Sequence, residues 1–175
     1  MEELLLLRPT AEYAEQIMGC KKEYLDANSS MDGCGPMRRT DDPEEYIKRC
    51  AVEEDPKTCP APLVPATQFI LVRKSDNKVL GFLQVRHEFN DYLSKFGGNI
   101  GYSIRPSERR KGYAKQMLKM ALPFCKEIGL EKVLITCNDG NIGSEKTILA
   151  NGGIYESTVH EPNENEHLKR FWIKL

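Results

Sequence analysis

The order of apolar and polar positions predicts six or seven short strands and about four helices. Runs in which every second residue or nearly every residue is apolar predict strands at residues 4–8, 68–74, 79–86, 98–105, 133–137, 154–159 and 168–174. Apolar residues three or four positions apart predict helices at residues 10–26, 41–52, 113–128 and 142–150. Thr10 is placed to cap the first helix, and Pro43 lies just inside the second. This mixed order predicts an α/β (α+β) fold, formed as a single domain over residues 1–175.

A basic turn joins the fourth predicted strand to the third predicted helix. Ile100, Tyr102 and Ile104 share one face of that strand, and Pro106 ends it. The basic turn itself comprises residues 109–112, with the sequence Arg-Arg-Lys-Gly, and it lies directly before the helix.

The position of the basic turn favours binding of an anion. The first amide groups of a helix lack intrahelical partners, and the helix dipole adds partial positive charge at that end. Arg109, Arg110 and Lys111 supply full charges, and Gly112 lets the backbone approach a ligand closely. A pyrophosphate fits this combination, while a solvated basic loop would show the same short pattern.

A second turn of interest follows the next predicted strand. Residues 133–137 are rich in β-branched residues, which is typical of a buried strand. Asn141 and Ser144 then lie at the start of the helix predicted at residues 142–150. The Asn141 side chain can either face a ligand or cap this helix.

In combination, the two turns resemble the GCN5-related N-acetyltransferases, the GNAT superfamily. Residues 109–114, Arg-Arg-Lys-Gly-Tyr-Ala, are similar to its Q/R-x-x-G-x-G/A signature between the fourth strand and the third helix. The resemblance covers nearly the whole chain. It implies a mixed, mostly antiparallel central sheet of six to seven strands, flanked by about four helices. It also implies a V-shaped splay between strands 4 and 5, where the pantetheine arm of acetyl-CoA pairs with exposed backbone groups.

The resemblance further implies acetyl-CoA as co-substrate and a primary amine of a small molecule or protein as acceptor. The cofactor-binding residues that it implies are Ile104, Arg109, Arg110, Lys111, Gly112, Tyr113, Ala114, Asn141, Ser144 and Lys146. The amine would attack the thioester directly in a ternary complex, with the backbone N–H near Ile104 stabilising the oxyanion. Met31, Met37, Arg38 and Arg39 lie in the segment that walls the acceptor pocket in that family.

The groups that transfer protons in this family are not in their usual places. Many members carry a tyrosine as general acid seven residues after the asparagine that corresponds to Asn141, and this chain has Ile148 there. The glutamate that members often use on the fourth strand is also missing from residues 98–105. His87 and Glu88, at the end of the preceding strand, are therefore the candidate bases, and the general acid stays open.

Composition and charge narrow the possible partners. The net charge of -1 over 175 residues gives no electrostatic case for binding nucleic acid or a membrane. The six cysteines form no C-x-x-C pair and no histidine lies at ligand spacing, so no metal site is predicted. Leu4–Leu7 is too short to cross a bilayer and has no basic segment before it. We therefore expect a cytoplasmic protein, and the resemblance implies a monomer or a homodimer.

Two other functions are compatible with the same residues. An acyl-CoA-binding module without efficient turnover would explain Ile148 at the position of the usual tyrosine. A nucleotide- or nucleic-acid-binding domain could use the basic turn on phosphates. The second function is disfavoured because the chain has no Walker motif and no aromatic residues interleaved with the basic ones.

Overall fold

The computed structural model describes residues 2–175, and every predicted strand and helix is present in it. The strands are β1 (Leu4–Leu7), β2 (Ala66–Arg73), β3 (Lys78–Arg86), β4 (Ile100–Ile104), β5 (Lys132–Asn138), β6 (Ile154–Glu161) and β7 (Glu166–Lys174). The α-helices are α1 (Ala14–Asp26), α2 (Pro43–Glu54), α3 (Tyr113–Glu127) and α4 (Ile142–Ala150). Shorter helical turns cover Ala11–Tyr13, Gly35–Arg39, Leu93–Gly97 and Pro106–Glu108.

The first two helices begin in different ways. Thr10 makes no capping bond through its side chain, and a 3-10 turn at Ala11–Tyr13 precedes α1, so the predicted cap is wrong. At α2, by contrast, the Asp42 carboxylate accepts the backbone N–H of Glu44 at 2.9 Å, and Pro43 occupies the first helical position. A proline there costs nothing because the first amides of a helix have no partner within it.

The seven strands form two antiparallel sheets, with the orders β1-β2-β3-β4 and β5-β7-β6. The predicted α/β class and antiparallel pairing are confirmed, but the sheet is divided between β4 and β5. These strands are joined at one end, where the Asn99 N–H donates to the Leu134 carbonyl at 2.7 Å. The Leu134 N–H then donates to the Asn99 side-chain oxygen at 2.8 Å, so a side chain takes the place of a backbone partner. Beyond this point the strands splay apart.

The first sheet is buried on both faces, which fixes α3 against it. Successive residues of a strand point to opposite faces. Leu83 packs in the cluster that contains Met117 and Leu118 of α3, whereas Phe82 packs against Tyr24 of α1. Burial of each large apolar side chain contributes about 1.5–3 kcal/mol. The N-terminus of α3 is thereby held beside the C-terminal end of β4.

Candidate active site

A groove of about 1380 Å³ opens between β4 and β5, where the two sheets separate. One wall is β4 with the basic turn, and the other is the end of β5 with the start of α4. At its opposite end the groove is bounded by the loop around Gly33, the Leu93–Gly97 turn and the β6–β7 hairpin. Pockets for one small molecule typically measure about 300–1000 Å³. The groove therefore has room for an extended ligand and a second, smaller one.

The edge of β4 that faces the groove carries unpaired backbone groups. The Arg105 N–H donates to the Leu80 carbonyl of β3 at 2.9 Å. Backbone groups of alternate residues in an antiparallel strand point to opposite edges, so the N–H groups of Ile104 and Tyr102 point toward the groove. The Ile104 carbonyl confirms this direction, because it accepts a bond of 2.9 Å from Arg109 Nε instead of from β3.

The basic turn exposes the first amides of α3. Arg110 and Gly112 have φ angles of 64° and 83°, which bend the chain sharply before the helix. The first bond of the helix runs from the Gln116 N–H to the Gly112 carbonyl at 3.4 Å, so the amides before it have no intrahelical partner. A Cβ atom added at Gly112 would meet no atom within 4 Å. The space in front of the helix is therefore open to a ligand.

The three cations of the basic turn differ in their contacts. Arg109 is held by the Ile104 carbonyl and by Ser29 Oγ, the latter at 2.6 Å. Lys111 donates to Glu108 at 2.9 Å and does not line the groove. Within residues 2–175, the Arg110 side chain has no ion-pair or hydrogen-bond partner, and it does line the groove. Arg110 is thus the cation most available to a ligand.

Glu108 supports the basic turn through ion pairs with two lysines. Its side chain is only 5% exposed and accepts bonds from Lys111 and from Lys78, the latter at 2.5 Å. The hydrogen bonds from Lys111 and then Lys78 lower the pKa of this carboxyl to about 2. The carboxylate therefore remains charged at neutral pH and neutralises part of the charge of Lys111.

The opposite wall is organised by the N-terminus of α4. Asn141 Oδ1 accepts the Ser144 N–H at 3.1 Å, so Asn141 caps this helix. Its side-chain amide nitrogen makes no bond to another of residues 2–175, and Asn141 lines the groove, as Lys146 does. The Ser144 hydroxyl lies 2.8 Å from the Tyr102 hydroxyl and links the two walls. Burial raises the pKa of Tyr102, which keeps the phenol protonated.

The position of the usual tyrosine is part of the core. Ile148 is 0% exposed and packs in the same cluster as Leu83. Tyr113 also turns inward, since its phenol contacts Arg73 at 3.0 Å and Glu2 at 2.6 Å. Only the backbone of Tyr113 is therefore in position to meet a ligand in front of α3.

The two candidate bases do not line the groove. His87 Nε2 lies 2.7 Å from the Thr67 hydroxyl, and its ring packs 6.4 Å from that of Phe124. Burial lowers the pKa of His87, with Glu54 and Glu88 opposing the shift. Glu88 is exposed on the surface. These side chains therefore lie away from the open edge of β4.

The end of the groove opposite the basic turn contains residues that sequence reasoning did not single out. They are Asp32, Gln84, Arg86, Tyr92, Phe96, Glu161, Glu164 and Glu166. Gln84 and Arg86 alternate with the buried Leu83 and Val85 on β3, and this alternation was a usable signal. The conformation of the loops places the other six residues at the groove.

Of the four residues predicted to lie in the wall of the acceptor pocket, two line the groove and two do not. Met31 and Arg38 line the groove, whereas Met37 is buried in the core. Arg39 is paired with Glu53 at 2.7 Å.

No helix within residues 2–175 is both long enough and apolar enough to cross a membrane. No group of three or more histidine, cysteine, aspartate or glutamate side chains in that same part of the chain is arranged to hold a metal ion.

Several solved structures share the fold over nearly the full length of the chain. A ribosomal-protein-S5-alanine acetyltransferase from Vibrio fischeri is 15% identical with a TM-score of 0.75, covering 99% of this chain and 94% of the other. A ribosomal L7/L12 alpha-N-protein acetyltransferase in complex with coenzyme A is 14% identical with a TM-score of 0.72, covering 98% and 94%. The microcin C7 self-immunity acetyltransferase, in complex with acetyl-CoA and AMP, is 17% identical with a TM-score of 0.71, covering 100% and 94%.

No curated protein sequence matches the chain significantly. A family model described as an acetyltransferase (GNAT) domain, however, matches residues 4–154. This match spans most of the chain and includes both walls of the groove. The chain therefore belongs to the GNAT family of acetyltransferases.

Proposed function

We propose that this protein transfers an acetyl group from acetyl-CoA to a primary amine, with both substrates bound together. The observation that carries the proposal is the continuity between the open edge of β4 and the exposed amides of the basic turn. An extended ligand with hydrogen-bonding groups along its length and an anionic group at one end fits this surface. Acetyl-CoA has both features.

The cofactor contacts follow from that geometry. The pyrophosphate meets the amides of Gly112, Tyr113 and Ala114, with Arg110 adding charge and Arg109 holding the turn against β4. Lys111 acts at longer range, because Glu108 already binds it.

The pantetheine arm runs along the open edge of β4 and pairs with Ile104 and Tyr102 as an added strand would. On the other wall it meets the amide nitrogen of Asn141, with Ser144 and Lys146 close by.

The reaction moves the acyl group from sulfur to nitrogen and one proton from the neutral amine to a carboxylate, and the coenzyme leaves as its thiolate. The amine nitrogen attacks the thioester carbon, and the carbonyl oxygen takes up negative charge that the backbone N–H of Ile104 or Tyr102 stabilises. The C–S bond then breaks, and the thiolate accepts a hydrogen bond from the Tyr102–Ser144 hydroxyl pair. The amine loses its proton through water to Asp32, Glu164 or Glu166, which line the groove, in preference to His87 or Glu88, which do not.

Thermal unfolding with and without acetyl-CoA tests the first half of the proposal. A ligand that binds only the folded state raises the unfolding temperature. We expect a clear rise at about millimolar acetyl-CoA, and the absence of one would refute the proposal. Release of free thiol in the presence of a panel of amines then tests transfer.

An acyl-CoA-binding module without efficient turnover is the second candidate. It is favoured by one observation, the burial of Ile148 where many relatives have a tyrosine. A rise in unfolding temperature without thiol release from any amine in the panel would support this alternative.

A further inference from the structure

The arginines of this protein divide into two groups according to their position. Six of them form ion pairs with carboxylates: Arg8 with Glu54, Arg39 with Glu53, Arg49 with Glu45, Arg73 with Asp76, Arg105 with Glu23 and Arg170 with Glu156. The other four pair with no carboxylate within residues 2–175, and all four line the groove: Arg38, Arg86, Arg109 and Arg110. Arg109 and Arg110 lie at the proposed pyrophosphate site. Arg38 and Arg86 lie at the opposite end.

Arg86 is the more unusual of these two because it is partly buried. The other well-buried arginine side chains, Arg73, Arg105 and Arg170, are 15%, 13% and 11% exposed, and each has a carboxylate partner. Removing a guanidinium from water without an anionic partner is costly. Among residues 2–175, Arg86 is therefore a partly buried cation without a carboxylate partner.

The hydrogen bonds of Arg86 leave one edge of its guanidinium free. Nη1 donates to the carbonyls of Gly97 and Gly98, at 3.0 and 3.3 Å. Nε and Nη2 have no partner within residues 2–175. An added Cβ at Gly101 would lie 3.2 Å from Nη2, so this nitrogen lies over β4 one residue before Tyr102. The free edge is thus beside the open part of β4, at the end remote from the basic turn.

The acidic residues nearby do not satisfy this guanidinium. Asp32 lies in the loop above it and accepts a bond of 2.8 Å from Ser30. The Glu161 carboxylate accepts the N–H groups of Asn163 and Glu164, at 3.1 and 2.6 Å. Neither forms an ion pair with Arg86, and both line the groove. This end of the groove therefore presents an unpaired cation together with separate negative charges.

We infer that the acceptor is an amino acid or similar zwitterion, whose carboxylate pairs with Arg86 while its amine faces the acetyl group. The inference rests on the proposed function and adds the chemical class of the acceptor. A free carboxylate matches the planar edge formed by Nε and Nη2, which can donate two parallel bonds. The carboxylates at this end attract the ammonium group. Because they do not pair with Arg86, its guanidinium can bind the carboxylate of the substrate.

The test compares acceptors that differ only in the carboxylate. The standard amino acids and their carboxamides are assayed for thiol release with acetyl-CoA, and for a further thermal shift of the protein saturated with CoA. We expect at least one amino acid to be preferred over its amide by about tenfold or more in kcat/KM. Arg86→Gln should remove this preference, because it lowers kcat/KM far more for the amino acid than for its amide.

Arg170→Gln is the matched control. Arg170 donates to the carbonyls of Ser94 and Lys95, at 2.7 and 2.6 Å, so it supports the same Leu93–Gly97 segment that Arg86 supports but does not line the groove. Its loss should affect amino acid and amide equally.

Three results would overturn the inference: amides or carboxylate-free amines that react as well as amino acids, no response to any amino acid, or an Arg86→Gln variant that loses activity equally with both. The acetyl-CoA thermal shift and thiol release with spermidine or benzylamine judge the proposed function independently.

Discussion

The Tyr102 hydroxyl lies 2.8 Å from Ser144 Oγ, and this contact joins the two walls of the groove. Tyr102 belongs to β4 of the first sheet, and Ser144 to the first turn of α4, which packs with the second sheet. Together with the Asn99–Leu134 bonds at the closed end, it sets how far β4 and α4 stand apart. The width of the groove therefore depends on this side-chain pair as well as on the bonds at the closed end.

Tyr102→Phe should weaken acetyl-CoA binding. A net hydrogen bond contributes about 0.5–1.5 kcal/mol, which corresponds to roughly a 2- to 12-fold rise in the dissociation constant measured by calorimetry. Tyr155→Phe is the control, since its hydroxyl makes a bond of the same length, 2.8 Å, to Thr158 on exposed β6. Equal affinities for Tyr102→Phe and the unmodified protein would show that this contact does not set the groove width.

Gly112→Asp should abolish the thermal shift given by acetyl-CoA, because a carboxylate would occupy the space in front of α3. Gly129→Asp provides the comparison at the other end of the same helix. Gly129 has a φ of 93°, close to the 83° of Gly112, and neither has an atom within 4 Å of an added Cβ. Both substitutions carry a backbone cost of about 1–2 kcal/mol. Loss of the shift in both variants would point to general destabilisation.

Ile148→Tyr should destabilise the protein without creating a general acid. Ile148 is fully buried, and Gly153 packs against it too closely to accept a Cβ atom. Overpacking a core position typically costs about 1–3 kcal/mol, to be measured by urea unfolding. Leu149→Tyr, at the neighbouring position that is 48% exposed, should change stability by less than about 0.5 kcal/mol. A stable Ile148→Tyr variant with faster thiol release would contradict this prediction.

Glu108→Gln should lower the free energy of unfolding at neutral pH. It should also make that free energy less dependent on pH in the acid range. The folded pKa of Glu108 is lowered from 4.5 to about 2, so its contribution is present above pH 4.5 and is lost as the pH falls toward 2. Solvent screens this ion pair in part, because the lysine partners of Glu108 are partly solvated. Its contribution to the free energy of unfolding is therefore on the order of 1–2 kcal/mol. Urea unfolding of both proteins at pH 7 and pH 3 measures it. A stability difference that does not shrink at pH 3 would argue against this role.

The sequence by itself determined the elements and one half of the site. Alternating and helical apolar patterns identify each strand and helix, because burial of one face imposes the spacing of its residues. The basic turn was equally local, since Arg110, Gly112 and the first amides of α3 are adjacent in the chain. The resemblance to the family identified Ile148 as a departure from its pattern, and the structure places this side chain in the core.

Tertiary structure decided which polar side chains meet in the groove. His87 follows β3 directly and looked like a base, but its ring turns to Thr67 and Phe124. Arg86, its neighbour, is the residue that lines the groove, because successive strand residues point to opposite faces. The contact between Tyr102 and Ser144 spans 42 positions of the sequence. No local pattern encodes it, since it exists only when packing of α3 and α4 places the two sheets side by side.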